Sequence, residues 1–164
     1  MRLLYLLFVW LHILASAVWI GGMVFLSIIL VPVSRRPEYH GVAASLIHWT
    51  GVRFRAVGWI CLGTLLLTGM FNLHYRGIGW AVLGGGGAYG LVLSAKLLLV
   101  LIIFLISALH DFLIGPRAMR LWQADSSSPE SRRLRRLASL MGRSNLLLAL
   151  LAAAFGVMIV RGGL

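Results

Sequence analysis

The chain of 164 residues is poor in cysteine, in acidic residues and in charged residues of any kind. Its one cysteine, Cys61, excludes a disulfide framework, a zinc ribbon and a thioredoxin-type pair. Charged residues make up 12% of the chain and hydrophobic residues 60%, against about 25% and about 45–50% in soluble domains. This imbalance excludes most soluble folds, and the abundance of large apolar side chains excludes disorder.

Long uncharged runs account for this composition. Four of them are present: 3–34, 56–75, 97–110 and 144–160. Because a helix needs about 20 apolar residues to cross a bilayer, we predict an all-α polytopic membrane protein, a single four-helix bundle. The predicted helices are at about 3–33, 54–76, 88–115 and 137–161. The first run extends well beyond the apolar segment of a signal peptide, so we expect a span that is not removed.

Arginines are divided unequally between the two sides of this predicted bundle. The loops that join helices 1–2 and 3–4 carry eleven: Arg35, Arg36, Arg53, Arg55, Arg117, Arg120, Arg132, Arg133, Arg135, Arg136 and Arg143. The other side carries Arg2, Arg76 and Arg161. The positive-inside rule then predicts a multi-pass protein of the bacterial inner membrane with both termini periplasmic. The net charge of +11 reflects this topology and contact with anionic lipids, with no nucleic-acid partner.

Ionisable side chains inside membrane spans are rare and are candidate functional residues. His12, His74 and Lys96 each lie 19 or 20 residues from the predicted basic-side end of their helix. At 1.5 Å per residue this distance is about 28–30 Å, so we expect the three side chains at one level near the outer face. Arg76 lies beside them at the same interface.

A second pair of histidines is predicted near the inner face. His110 follows Lys96 by 14 residues and therefore lies about 21 Å deeper. His48 is expected in the first inner loop, within reach of His110 if that loop folds against the bundle.

Imidazoles on facing helices of a dry bundle are the usual protein ligands of haem b. The chain has no Cys-x-x-Cys-His motif, which excludes covalent c-type haem, and no Glu-x-x-His motif for a di-iron centre. We predict one haem b between His12 and His74, with a second between His48 and His110 left open. Lys96 is expected to contact a propionate, to replace His74 as ligand, or to act as a catalytic residue. Arg76 is a further propionate partner.

Copper is the alternative metal, because Cu(I) prefers thioether and thiolate ligands. The chain offers Met23, Met70, Met158 and Cys61 for this purpose. No two methionines have the Met-x-x-Met or Met-x-x-x-Met spacing, so the sequence supports a methionine-lined pathway only weakly.

Short motifs give the chain a resemblance to known families over about residues 10–117. Those of the first helix are Leu11-His12, Trp19-x-Gly21-Gly22 and Pro32, and the later ones are Arg53-Phe54-Arg55, Thr68-Gly69, Tyr89-Gly90, Lys96-Leu97 and Pro116. In this pattern the chain resembles the CopD family of bacterial copper-resistance membrane proteins. His12 together with Lys96-Leu97-Leu98-Leu99-Val100 is also similar to the HemJ family, which binds haem b and acts in protoporphyrinogen oxidation. That similarity implies a functional role for His12 and Lys96.

The functional hypothesis is a haem-b-binding membrane protein for electron transfer. As an enzyme it would be a membrane oxidoreductase, quinone-linked or protoporphyrinogen-oxidase-like, with quinone or a periplasmic redox protein as partner. A homodimer is left open. One alternative is copper transport or copper homeostasis of the CopD type, and another is a structural membrane protein whose histidines only pack.

Overall fold

In the computed structural model, which describes residues 2–78, 82 and 87–161, the chain forms four long helices. They are α1 (Arg2–Ser34), α2 (Pro37–Tyr75), α3 (Ala88–Ala124) and α4 (Pro129–Val160). Each is long and apolar enough to cross a membrane, and no strand occurs in the described part of the chain. The prediction of an all-α four-helix membrane bundle is confirmed.

The helices extend further than the apolar runs that predicted them. The regular part of α2 begins at His40, after a 3-10 turn, and not near residue 54. Likewise, α3 continues to Ala124, beyond its predicted end near 115, and α4 begins at Pro129, before its predicted start near 137. Backbone hydrogen bonding does not require an apolar sequence, so the charged extensions stay helical beyond the hydrophobic stretch. His48 consequently lies within α2, and its predicted position in a loop was wrong.

The turn between α3 and α4 is formed by the polar residues 125–128. The Asp125 carboxylate accepts hydrogen bonds from the Ser127 amide and hydroxyl, which holds the pKa of the Asp125 side chain below its usual value. Ser128 then caps α4, because its hydroxyl oxygen accepts from the Ser131 amide at 3.2 Å. Pro129 follows at the first helical position, where its missing N–H costs nothing.

Two wide π-helical turns interrupt α1 and α3, at Phe25–Leu30 and Leu109–Ile114. Each precedes a proline, Pro32 or Pro116, whose ring lacks an N–H and crowds the preceding helical turn. Both turns lie towards the α1–α2 and α3–α4 connections, which we call the basic end of the bundle. The other end, where α1 begins, α2 ends, α3 begins and α4 ends, is called the terminal end.

The bundle packs as two helix pairs, α1 with α2 and α3 with α4, and α1 also contacts α4. The core lies midway between the two ends, and its members are Ala15, Trp19, Met23, Cys61, Leu62, Ile103, Leu146, Ala149 and Ala152. Small residues on α4 allow this close approach. Large apolar side chains such as Leu3 and Leu91 remain exposed, as a bilayer environment requires.

Candidate functional site

His12 is held at the terminal end by α2. Its Nδ1 atom lies 2.7 Å from the hydroxyl oxygen of Thr68, a buried residue. The imidazole Cε1 atom is 3.5 Å from the place that a Cβ on Gly69 would take. The imidazole therefore packs into the space left by that glycine, with one ring nitrogen already hydrogen-bonded.

Lys96 reaches the same level from α3. Its ammonium nitrogen lies 3.1 Å from the position of a Cβ on Gly156 of α4. His12 and Lys96 thus both lie at the terminal end, each against a glycine of another helix.

His74 does not join them. It lies six residues beyond Thr68 on α2, about 9 Å further along the helix, and its side chain is exposed. The prediction counted residues along α2 from its charged end and took that end to be level with the charged end of α1. In the structure, His12 of α1 lies opposite Thr68 of α2. In this structure His74 is not positioned opposite His12 as a second ligand of an outer haem.

Arg76 is fixed by a tyrosine. Its Nε donates to the Tyr5 hydroxyl oxygen at 3.3 Å, and this bond is the main reason that the pKa of the guanidinium lies above its usual value. The Tyr5 ring stacks on Tyr75 with centroids 4.5 Å apart. Arg76 is thus bonded to a stacked pair of tyrosines that packs α1 against α2 at the terminal end.

His110 heads a chain of hydrogen bonds at the basic end. Its Nδ1 is 2.8 Å from one carboxylate oxygen of Asp111, and the indole N–H of Trp59 donates to the other at 3.0 Å. Arg55 donates to the Asp111 carbonyl oxygen at 3.0 Å. All of this depends on the π turn of α3, and Gly115 is needed there because a Cβ would lie 2.8 Å from the His110 carbonyl oxygen. A carboxylate at Nδ1 is the usual arrangement around a metal-binding histidine, because it leaves Nε2 to bind the metal ion.

A cavity of about 1200 Å³ opens beside His110, between all four helices at the basic end. His48 also lines it from α2, so the two inner candidates face one cavity. Its wall includes seven arginines: Arg35, Arg55, Arg120, Arg132, Arg135, Arg136 and Arg143. Asp111 is its one acidic residue within the described part of the chain.

The soft ligands proposed for copper are dispersed. Met23 lines the cavity, Cys61 is buried in the core, and Met70 is exposed. Two methionines that the sequence argument did not select, Met119 and Met141, also line the cavity. Among residues 2–78, 82 and 87–161, no three His, Cys, Asp or Glu side chains are placed to hold one metal ion.

Sequence reasoning missed two features of the basic end. Asn145 and Ser107 are both buried and joined by a hydrogen bond of 2.9 Å from the amide nitrogen to the hydroxyl oxygen, at the deep end of the cavity. The cavity arginines of α4 were counted only for topology. Their spacing of three, four and seven residues already indicated one helical face.

These features define a polytopic α-helical membrane protein with ionisable side chains inside its spans. Residues 50–160 match the family described as CopD, copper resistance protein D, and the chain belongs to that family. A protein of Aquifex aeolicus (strain VF5), described as uncharacterized, is 30% identical over 158 residues, which cover 95% of each chain. No solved structure matches. The predicted resemblance to CopD is confirmed.

Proposed function

We propose that the chain is a membrane protein of copper homeostasis whose copper site forms around His110 at the basic end. The observation that carries this proposal is the anchored His110 beside a cavity that Met23, Met119 and Met141 also line. Imidazole and thioether groups suit Cu(I), and such a set does not depend on carboxylate or thiolate ligands. Membership of the CopD family supports the same function.

Copper binding by the purified full chain tests this proposal. Cu(I) is titrated without oxygen against a chromophoric chelator, with the protein in detergent. We expect His110→Ala to weaken copper binding at least tenfold. His74→Ala is the matched control, since His74 is exposed at the terminal end, and it should leave the affinity unchanged. Equal affinity of the His110→Ala and unaltered proteins would overturn the copper site.

Haem b is the second candidate, and the size of the cavity is the observation that favours it. Sites for cofactors enclose about 300–1000 Å³, and about 1200 Å³ is far more than a single ion needs. His48 and His110 would supply ligands from α2 and α3, and the group would supply one-electron redox chemistry, with quinone as its partner. A visible spectrum and a pyridine haemochrome assay test this function. A haem-to-protein ratio near one that is lost in His110→Ala supports it, and a colourless preparation from haem-replete cells overturns it.

Orientation is part of the proposal. We place the basic end in the cytoplasm and both termini in the periplasm of a bacterial inner membrane, on the basis of the arginine distribution. A phosphatase reporter fused after Arg161 should be active, and one inserted in the Asp125–Ser128 turn should be inactive. The reverse pattern would invert the bundle.

A further inference from the structure

Acidic residues of the described chain balance only a small part of the positive charge on the cavity wall at the basic end. Seven arginines line the cavity, against one acidic residue, Asp111. Both carboxylate oxygens of Asp111 are already engaged, one by His110 and the other by Trp59. Glu130, the acidic residue nearest in sequence to the α4 arginines, pairs instead with Arg117, which does not line this cavity. The cavity is therefore a concentrated cationic site.

The side chain of one of these arginines, Arg135, is held in place by two neighbouring groups. The guanidinium of Arg135 lies over the ring of Trp122, 4.8 Å from its centroid, and one terminal nitrogen donates to the Ser126 carbonyl oxygen at 3.3 Å. Its Nε is buried and has no hydrogen-bond partner among the described residues. A guanidinium whose orientation is fixed by stacking suits an oxyanion, because its planar fork matches phosphate or carboxylate oxygens.

The deeper part of the cavity is apolar. Leu26, Leu30 and Leu62 line it below the arginines, together with Ile106 of α3. At its floor, Asn145 is buried and its amide oxygen has no partner among the described residues. A cavity with cations at its mouth and aliphatic side chains below is complementary to an amphiphile with an anionic head group.

We propose that this cavity binds the phosphate head group of an anionic amphiphile, with the arginines of α4 on the phosphate and the aliphatic wall against its hydrocarbon part. Basic pockets between membrane helices recognise anionic lipids in this way. The proposal does not depend on copper or haem binding. It assigns the α4 arginines to a specific site, beyond their effect on topology.

Native mass spectrometry of the delipidated full chain in a zwitterionic detergent tests the site. The probes are dioleoylphosphatidylglycerol and, for comparison, dioleoylphosphatidylcholine, whose zwitterionic head group carries the phosphate but no net charge. The cavity variant combines Arg132→Gln, Arg135→Gln and Arg136→Gln. The control combines Arg53→Gln, Arg117→Gln and Arg133→Gln, which removes the same charge from arginines outside the cavity wall.

We expect the cavity variant to bind phosphatidylglycerol at least tenfold more weakly than the unaltered chain. The control should stay within about twofold, and phosphatidylcholine should bind weakly to all three proteins. Equal losses in both variants would overturn the proposal, because they would show an effect of overall charge. Circular dichroism confirms that each variant is folded. If the triple variant does not fold, Arg135→Lys replaces it, since it keeps the charge and removes the fork; unchanged lipid binding there overturns the proposal.

A second experiment distinguishes a lipid from a soluble phosphate compound. Inorganic pyrophosphate is added to the complex with phosphatidylglycerol. If it has no effect at concentrations far above that of the lipid, the hydrocarbon part contributes to binding and the ligand is a lipid. If it displaces the lipid, and its own binding is lost in the cavity variant, the phosphate site stands and its source is soluble.

Discussion

The two ends of the bundle use their polar side chains in opposite ways. At the terminal end, His12 and Lys96 lie over Gly69 and Gly156, and each fills the space that its glycine leaves. At the basic end, the four helices separate around a cavity of about 1200 Å³, and His110 is held at its wall by Asp111. An ionisable residue in a span is therefore not by itself a ligand. The space beside it decides whether it packs or binds.

The helix contacts show the same difference. At the terminal end, α1 and α2 are joined by stacked rings, Tyr5 on Tyr75 and Phe8 on Phe71, with centroids 4.5 and 3.9 Å apart. At the basic end, α1 and α3 both widen into π turns. Aromatic stacking keeps one end closed, while the π turns accompany the separation of the helices at the other.

The largest expected effect on stability is at the contact between Gly22 of α1 and Phe54 of α2, which lies between these ends. A Cβ on Gly22 would collide with the ring of Phe54, so Gly22→Ala should destabilise the fold by about 1–3 kcal/mol through overpacking. Gly21→Ala is the matched control, because nothing lies within 4 Å of its Cβ position. Unfolding in mixed micelles with sodium dodecyl sulfate measures both variants. Equal stability of the two would show that α1 and α2 do not need this close approach.

Asp111→Asn tests the anchor of the basic end. The amide keeps one acceptor oxygen where the carboxylate had two, so it cannot accept from both His110 and Trp59. Loss of such a partner typically costs 10–100-fold in metal affinity, and we expect at least tenfold weaker Cu(I) binding. Glu130→Gln removes an exposed carboxylate and should leave copper binding unchanged. Full affinity in Asp111→Asn would separate His110 from the copper site.

Thr68→Val tests the packed role of His12. Loss of a buried hydrogen bond costs about 1 kcal/mol, so the unfolding free energy should fall by about that amount. Thr64→Val is the control, since the hydroxyl of Thr64 bonds only to its own helix, at the Ile60 carbonyl oxygen. A loss of copper or haem in Thr68→Val, without a loss of stability, would give the terminal end a binding role.

Tyr5→Phe should have the smallest effect. It removes the hydroxyl that accepts from Arg76 and keeps the ring that stacks on Tyr75. Because the bond is exposed, the stability should change by less than about 0.5 kcal/mol. The same unfolding measurement checks it, and a loss above 1 kcal/mol would show that Arg76 helps to close the terminal end.

The fold could be predicted because hydrophobic length is a property of the sequence alone. Four long apolar runs require four spans. Helix ends were harder to predict. The stretch from His40 to Arg55 carries charge without losing its helical hydrogen bonds, so hydropathy could not show that His48 is helical.

The site was predictable only in part. Counting residues from the helix ends placed His12 and Lys96 at one level, and the structure has both at the terminal end. His74 was placed with them by the same count, but the sliding of α2 against α1 is set by packing, and His12 meets Thr68. The cavity depends on the separation of the helices and on two π turns. The pattern of hydrophobic residues in the sequence indicates neither of these features.

The length of α2 has a consequence for how the cavity meets its surroundings. The 36 residues of His40–Tyr75 measure about 54 Å, and even a tilt of 40° leaves about 41 Å across a hydrocarbon layer of about 30 Å. The surplus lies at the charged end, since the uncharged stretch 56–75 occupies the other part of the helix. The floor of the cavity is thus level with lipid tails while its mouth stands in water. A solute from the aqueous phase can therefore enter the cavity from the charged side, without first dissolving in the bilayer.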